Sequence, residues 1–209
     1  MIVVAACFRQ ETRWVSPRPG VRIVHTGMGA GSASDLDRLA GDSASIALLI
    51  STGFCGGLDG RLRTGDLVVA EQIHHHGVTI AVDQDLTARA FGALRDEGLT
   101  PRAGAVECSD DVADVAAKGA LAAGGALSVD LESGPLAAWA SARGVRFLSC
   151  RAVLDNLSEP MPFTSGAPLW ISVLRHPRGA VRAARAANVA GRRLGAAVTC
   201  LIDALEAGT

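Results

Sequence analysis

Two stretches of the sequence run from apolar, strand-like residues straight into acid. One is Ser128-Val129-Asp130-Leu131-Glu132-Ser133, and the other is Cys150-Arg151-Ala152-Val153-Leu154-Asp155-Asn156. A carboxylate buried in such surroundings is costly unless it is paired or used. Asp130, Glu132 and Asp155 are therefore candidates for acid–base or ligand-holding work; the plain alternative is that they cap the helices that follow. Thr26-Gly27-Met28-Gly29-Ala30-Gly31-Ser32-Ala33 sits between a strand and a helix. Glycines there let the backbone approach an anion at a helix N-terminus. A dinucleotide fingerprint would need a third glycine at the position of Ser32 and would follow the first strand, not the second. A tight turn and a ligand loop both remain open. Ser51-Thr52-Gly53-Phe54-Cys55-Gly56-Gly57-Leu58, with Gly65-Asp66 downstream, ends an apolar strand in glycines. Ligands gather beyond the carboxyl ends of strands in open α/β sheets, although a glycine-rich hairpin would read the same. His74-His75-His76 resembles a metal cluster, but on a strand His74 and His76 share a face and His75 points away. Two imidazoles lack the remaining ligands of a closed zinc site, so no metal is expected there, and a sheet rim or an oligomer contact is the preferred reading. His25 reads as a core histidine at a strand end.

The elements that must position these residues alternate. Strands are expected at Ile2–Ala6, Val21–His25, Ile46–Thr52, Asp66–Glu71, Val78–Val82, Gly104–Glu107, Ala126–Val129 and Val145–Ala152. Helices are expected at Ser34–Ala40, Leu86–Glu97, Asp111–Ala122, Pro135–Arg143 and Ala167–Glu206, the last broken near Pro177-Arg178-Gly179. Several strands are continuous apolar runs, as in a mostly parallel sheet covered on both faces. The order fits a single α/β domain spanning residues 1–209, with residues 167–206 as a C-terminal helical segment.

Composition narrows the classes. With 49% hydrophobic and 20% charged residues in 209, the chain can bury a sizeable core and is not disordered. A net charge of −1 gives no electrostatic case for nucleic acid. The apolar runs are too short to span a bilayer, and the start reads as a first strand and not a signal peptide. The five cysteines are dispersed with no C-x-x-C pair, which points to free thiols in a reducing cytoplasm. Lys118 is the only lysine. In the C-terminal stretch, Trp170, Ile171, Val173 and Leu174 precede Arg175, His176 and Arg178, and Arg182, Arg185, Arg192 and Arg193 follow. Such a pattern can lie on an anionic membrane surface; an amphipathic helix covering the sheet with a solvated basic face is the preferred reading.

The ordered set resembles the purine nucleoside phosphorylase and methylthioadenosine/adenosylhomocysteine nucleosidase superfamily. The matching stretches are the first strand leading to Glu11, Thr26-Gly27-Met28-Gly29, Gly53-Phe54-Cys55-Gly56-Gly57-Leu58 with Gly65-Asp66, Val129-Asp130-Leu131-Glu132-Ser133 and Arg151-Ala152-Val153-Leu154-Asp155. Residues 118–133 and Leu174-Arg175-His176-Pro177-Arg178 bring it nearest to the hopanoid-associated phosphorylase-like proteins, implicated in releasing adenine from adenosylhopane. The resemblance implies a three-layer α/β sandwich around a mixed sheet and cleavage of a purine N-ribosidic bond. It also implies a homo-oligomer, most simply a dimer, and neither metal nor organic cofactor.

Such a reaction passes through an oxocarbenium-like state while charge develops on the leaving purine. By resemblance, Asp155 protonates the purine, Glu132 holds the ribose hydroxyls with Leu131 packed on the sugar, and Glu11 positions the nucleophilic water. Gly29, Gly53 and Phe54 would line the substrate, and Arg151 would orient Glu132 or Asp155. Two positions depart from the family pattern. Leu154 replaces the serine before the aspartate, and Phe54 stands where many members carry a hydroxyl near the nucleophile. Phe54 would narrow and dry the pocket. Hydrolysis is preferred over phosphorolysis, in which inorganic phosphate would be the co-substrate. A small-substrate methylthioadenosine nucleosidase and a catalytically inactive nucleoside-binding scaffold are the alternatives.

Overall fold

The computed structural model describes residues 1–40, 45–159 and 177–206. In chain order the elements are β1 (Ile2–Ala6), β2 (Val21–His25), α1 (Ser32–Ala40), β3 (Leu48–Gly57), β4 (Leu67–His75), β5 (Val78–Ala81), α2 (Gln84–Asp96), β6 (Arg102–Cys108), α3 (Val115–Ala123), β7 (Ser128–Asp130), α4 (Ser133–Ala142), β8 (Arg146–Asp155) and α5 (Pro177–Glu206). A 3-10 turn at Gly29–Gly31 leads into α1.

The sheet is mixed. Strands β2, β1, β3 and β8 run parallel in that order; β8 then pairs antiparallel with β4. Strand β4 pairs parallel with β6 and antiparallel with the edge strand β5. Strand β7 is parallel to β6 and meets the end of β3 antiparallel at Gly56–Val129 and Gly57–Ser128. The pairings β3–β8–β4–β6–β7–β3 therefore close into a ring. The central strands β3 and β8 pair with each other along nearly their whole length and are almost wholly buried, which is why they read as unbroken apolar runs.

Two helical layers cover the sheet. On one face Leu36 of α1 and Leu136, Ala137, Trp139 and Ala140 of α4 pack on Val3, Leu49, Val106 and Phe147. On the other, Leu86, Ala90 and Leu94 of α2 and the apolar stripe of α5 pack on Val4, Ile50, Val69 and Leu148. Along α5 that stripe is Ala190, Leu194, Ala197, Val198, Leu201, Ile202 and Leu205, all buried, while Arg182, Arg185, Arg192 and Arg193 are exposed. The described part of α5 thus follows the preferred reading of a sheet-covering helix with a solvated basic face. Pro177 opens α5 at its first residue, a position where its missing N–H costs nothing. The expected start of that helix at Ala167, and the apolar group from Trp170 to His176, fall outside the described residues. No helix among the described residues is long and apolar enough to cross a membrane.

Three boundaries differ instructively. The glycines from Gly53 to Gly57 do not form a loop or hairpin after the strand: β3 continues through them to Gly57. Likewise β8 runs on to Asp155, three residues beyond the expected end at Ala152. The last turn of the histidine run leaves the strand, because β4 ends at His75 and His76 adopts a positive φ of 50°.

Candidate active site

Arg151 organises the first half of the site. It lies in the middle of β8 and is fully buried. Its Nη2 donates to Ser51 Oγ (2.8 Å) and its Nη1 to the carbonyl of Thr52 (3.2 Å), so β3 fixes the guanidinium plane. Its Nε lies 2.8 Å from Asp130 Oδ2, and Nη1 lies 3.4 Å from Glu132 Oε2. Burial alone would discharge the group, but Asp130, Glu132 and Glu11 outweigh that and hold it firmly cationic. Arg151 pairs with Glu132 and not with Asp155, which resolves the choice left open by the sequence.

Glu11 reaches the same cluster from the segment after β1. Its Oε2 accepts the Phe8 N–H (2.8 Å) and its Oε1 the Phe54 N–H (2.9 Å). Burial raises its pKa; those N–H groups and Arg151 pull the other way without cancelling the rise. The approach is possible only because residue 53 is glycine. A Cβ at Gly53 would stand 2.7 Å from both Arg151 Nη1 and Glu11 Oε1, and the φ of +148° is one that side chains rarely adopt.

Glu132 follows β7 and opens α4, but its side chain makes no cap bond. That duty falls to Asp130, whose Oδ1 accepts from Ser133 N and Oγ (3.2 and 2.7 Å). Glu132 instead faces Arg151 and takes a long contact from the Gly29 N–H (3.4 Å). Its pKa is pushed up to about 7, first by burial and then by Asp130 and Glu11. Among the described residues three carboxylates thus surround the Arg151 cation, and their mutual repulsion favours a shared proton.

Asp155 occupies the other end of β8, beside Gly56, about 10 Å along β3 from Gly53 by strand rise. Its partner is Lys118 of α3, in a buried ion pair. Burial raises the Asp155 pKa against the pull of Lys118, and Glu159 adds to the rise. Nothing in the sequence reading gave Lys118 a role. The available signal was its being the lone lysine in an otherwise arginine-only chain, set among alanines on a helix. Ser51 and Thr52, which fix Arg151, were also unassigned.

The remaining expected residues fall as follows. Leu131 is half-buried between Asp130 and Glu132. Phe54 contributes its backbone N–H, while its half-buried ring packs against the α2 and α5 core. That placement does not make it a plug between the carboxylates. His25 bonds Thr12 Oγ1 through Nε2 (2.8 Å) at the end of β2. His74 faces Glu107 and His76 faces Asp110, at 3.5 and 3.0 Å, while His75 contacts the Cys108 carbonyl. Among the described residues no group of three His, Cys, Asp or Glu is placed to hold a metal ion. All five cysteines are free, and burial pushes Cys55 and Cys150 up to about 12, so they sit as inert thiols. A groove of about 750 Å³ between Trp14, the end of α2 and α5 borders none of Glu11, Glu132, Arg151 or Asp155; the carboxylate chemistry, not that hollow, locates the site.

The sequence pattern of the Phosphorylase superfamily matches residues 12–186. The chain belongs to the phosphorylase superfamily. Asp130, Glu132, Arg151 and Asp155 lie inside the matched span, and Glu11 stands one residue before it. Membership of that superfamily makes the chain an enzyme of the phosphorylase kind. Its fold is shared with solved structures at low identity. A Helicobacter pylori 5'-methylthioadenosine/S-adenosyl homocysteine nucleosidase matches with a TM-score of 0.75 at 16% identity, covering 97% of each chain. Futalosine hydrolase of the same organism gives 0.77 at 15%, again over 97% of each chain. The Streptococcus pneumoniae 5'-methylthioadenosine/S-adenosylhomocysteine nucleosidase gives 0.74 at 19%, covering 98% of this chain and 99% of that one. No curated protein sequence matches the chain closely enough to count as a relative.

Proposed function

We propose that the protein hydrolyses the N-ribosidic bond of an adenine nucleoside and releases adenine, with a hydrophobic 5'-substituted nucleoside such as adenosylhopane as substrate. The observation that carries the reading is the pair of sites on one strand. Arg151 gathers Glu11 and Glu132, and four residues on, β8 presents the buried Asp155, whose pKa burial raises. Asp155 is the general acid for the purine, since burial that raises a carboxyl's pKa moves it toward the range where it can donate a proton. Glu132 binds the ribose hydroxyls and Glu11 orients the attacking water. Leu131 and Gly29 line the sugar side, and the backbone at Gly53 and Phe54 sets where Glu11 lies.

Electrostatics favours water over phosphate. Around Gly53 stand Glu11, Asp130 and Glu132, and among the described residues the cation paired with them, Arg151, is buried and fully engaged. A phosphate dianion would meet net negative charge there. The hydrophobic substituent is supported by two exposed apolar residues in the backbone segments that contact the carboxylates. They are Phe8, whose N–H holds Glu11, and Met28, which precedes the glycine touching Glu132.

The test is adenine release from adenosine, methylthioadenosine and a 5'-alkyl adenosine with a hydrophobic tail, with and without phosphate. The tailed substrate is expected to be preferred, in phosphate-free buffer, and Asp155→Asn to abolish release. Strict phosphate dependence would instead establish a phosphorylase, and preference for methylthioadenosine a small-substrate nucleosidase. No release by wild type from any of the three overturns the reading in favour of a binding scaffold. The wider reading, a cytoplasmic homo-oligomer that meets a lipid-linked nucleoside through its basic C-terminal segment, draws on the exposed arginines of α5. Co-sedimentation with anionic liposomes checks it, and absence of binding removes it.

A further inference from the structure

Lys118 takes no part in the steps above, yet it is among the most deeply buried large side chains in the protein, at 1% exposure. It extends from α3, whose first turn is fixed by Asp114: the Asp114 carboxylate accepts from Ala117 N (2.8 Å). An ammonium has three donors, and each finds an acceptor. One goes to Asp155 Oδ2, one to the Asn156 carbonyl (2.9 Å) and one to the Glu159 carbonyl (3.2 Å). The turn that supplies the two carbonyls is itself cross-tied, with Asn156 N donating to Glu159 Oε2 (3.2 Å) and Ser158 N to Asn156 Oδ1 (3.0 Å). The path of the lysine is cleared by Gly56, where a Cβ would come 3.2 Å from Lys118 Cε. Leu154, immediately before Asp155, offers no hydroxyl, and among the described residues the side-chain donor to the carboxyl is the ammonium.

We propose that Lys118 is the positioning residue of Asp155: it fixes Oδ2, leaves Oδ1 to carry the proton to the purine, and stabilises the carboxylate that remains. The proposal rests on Asp155 being the general acid. In the step, the Asp155 O–H bond breaks and an N–H bond forms on the purine ring. The electron pair of the C1'–N bond leaves with the purine. Water bonds to C1' and gives its proton to Glu11. Lys118 stays an ammonium throughout, and the proton count closes when Glu11 and Asp155 re-exchange with solvent. A charge that develops beside a fixed cation in a dry site is stabilised without reorganisation. Three other features bear on Asp155: Glu159 from the following turn, Cys55 from β3 with its thiol protonated, and burial. Among the described side chains Lys118 draws its titration downward, and the Asp155 backbone N–H adds to that pull.

Lys118→Met and Lys118→Arg test this, with kcat and KM followed against pH and the Asp155 carboxyl followed by NMR of protein carrying ¹³C-carboxyl aspartate, assigned with Asp155→Asn. Lys118→Met is expected to lower kcat by about 10²-fold, the scale of a lost alignment, with KM little changed. The basic limb of its kcat profile and the Asp155 titration should both move to higher pH. Lys118→Arg keeps the charge but not the tripod, so it should return both to the wild-type pH while kcat stays reduced. A uniform loss of activity with the limb and the Asp155 titration unmoved would overturn the proposal, as would wild-type kcat in Lys118→Met. If Lys118→Met does not fold, Lys118→Arg decides: wild-type kcat would overturn the tripod, and a reduced kcat with unshifted titration would uphold it. If wild type releases no adenine, the nucleosidase reading fails by itself. The NMR titration then still decides whether Lys118 governs Asp155.

Discussion

Adding one methyl group at Gly53 should damage both stability and activity. In Gly53→Ala the new carbon lands 2.7 Å from Arg151 Nη1, 2.7 Å from Glu11 Oε1 and 3.1 Å from Glu11 Cδ. Neither neighbour can step aside. Arg151 is tied to Ser51, Thr52, Asp130 and Glu132, and Glu11 is held by the N–H groups of Phe8 and Phe54. Three costs follow. A non-glycine residue in this φ region costs about 1–3 kcal/mol. Overpacking a fixed site costs about 1–3 kcal/mol. Weakening the charge-assisted bond from Phe54 to Glu11 costs part of about 1.5–3 kcal/mol. These overlap, and a total of about 4 kcal/mol corresponds to a Tm lower by roughly 8–16 °C for a chain of this size. A displacement of Glu11 by about 1 Å would also cost on the order of 10²-fold in turnover. Thermal unfolding by circular dichroism, together with adenine release, measures both. Gly92→Ala is the control. Gly92 lies within α2, where an added Cβ meets nothing within 4 Å, and the change should stabilise by up to about 1 kcal/mol. A Gly53→Ala protein as stable and as active as wild type would refute the account of how Arg151 and Glu11 are brought together.

Two further outcomes follow from the same cluster. Arg151→Met should lower stability in urea unfolding by about 3–5 kcal/mol, because it strands buried carboxylates without a cation; an m-value unchanged from wild type would tie the loss to the native site. Glu132 sets a pH dependence. Its pKa is raised in the folded state from 4.5 to about 7, so the fold binds that proton more tightly than the unfolded chain does. Its contribution to stability is full below about 4.5 and is lost as pH rises through 7. Tm should therefore fall between pH 5 and 7, with an upper bound of about 3 kcal/mol at the standard conversion, and Glu132→Gln should flatten that slope.

Much of the fold was legible because continuous apolar runs mark strands buried on both faces, and the strands and helices of the described residues lie near their expected positions. The strand ends were harder. Gly53 to Gly57 carry every local mark of a turn, yet pairing with β8 on one side and β7 on the other holds them in β3. Tertiary hydrogen bonding overrode local propensity there. The carboxylates were legible by type and position, and so was the alternative of capping, which proved to belong to Asp130 and not Glu132. Their partners were not. The contacts from Ser51 and Thr52 to Arg151, and from Lys118 to Asp155, join residues far apart in sequence, which a single chain read in order does not expose.

Strand β8 is hydrogen-bonded along both edges, parallel to β3 and antiparallel to β4, and it carries Arg151 and Asp155 on one backbone. The interval between Arg151 and Asp155 is thus set by a strand paired to β3 along its length and to β4 around Arg151, like marks engraved on a rule. Phe8 and Met28, by contrast, stand on connecting segments outside the ladder. Substitutions there can accumulate without altering the interval. Under the proposed reading, such an arrangement lets a lineage try out new substituents on the nucleoside while the spacing of Arg151 and Asp155 is inherited intact.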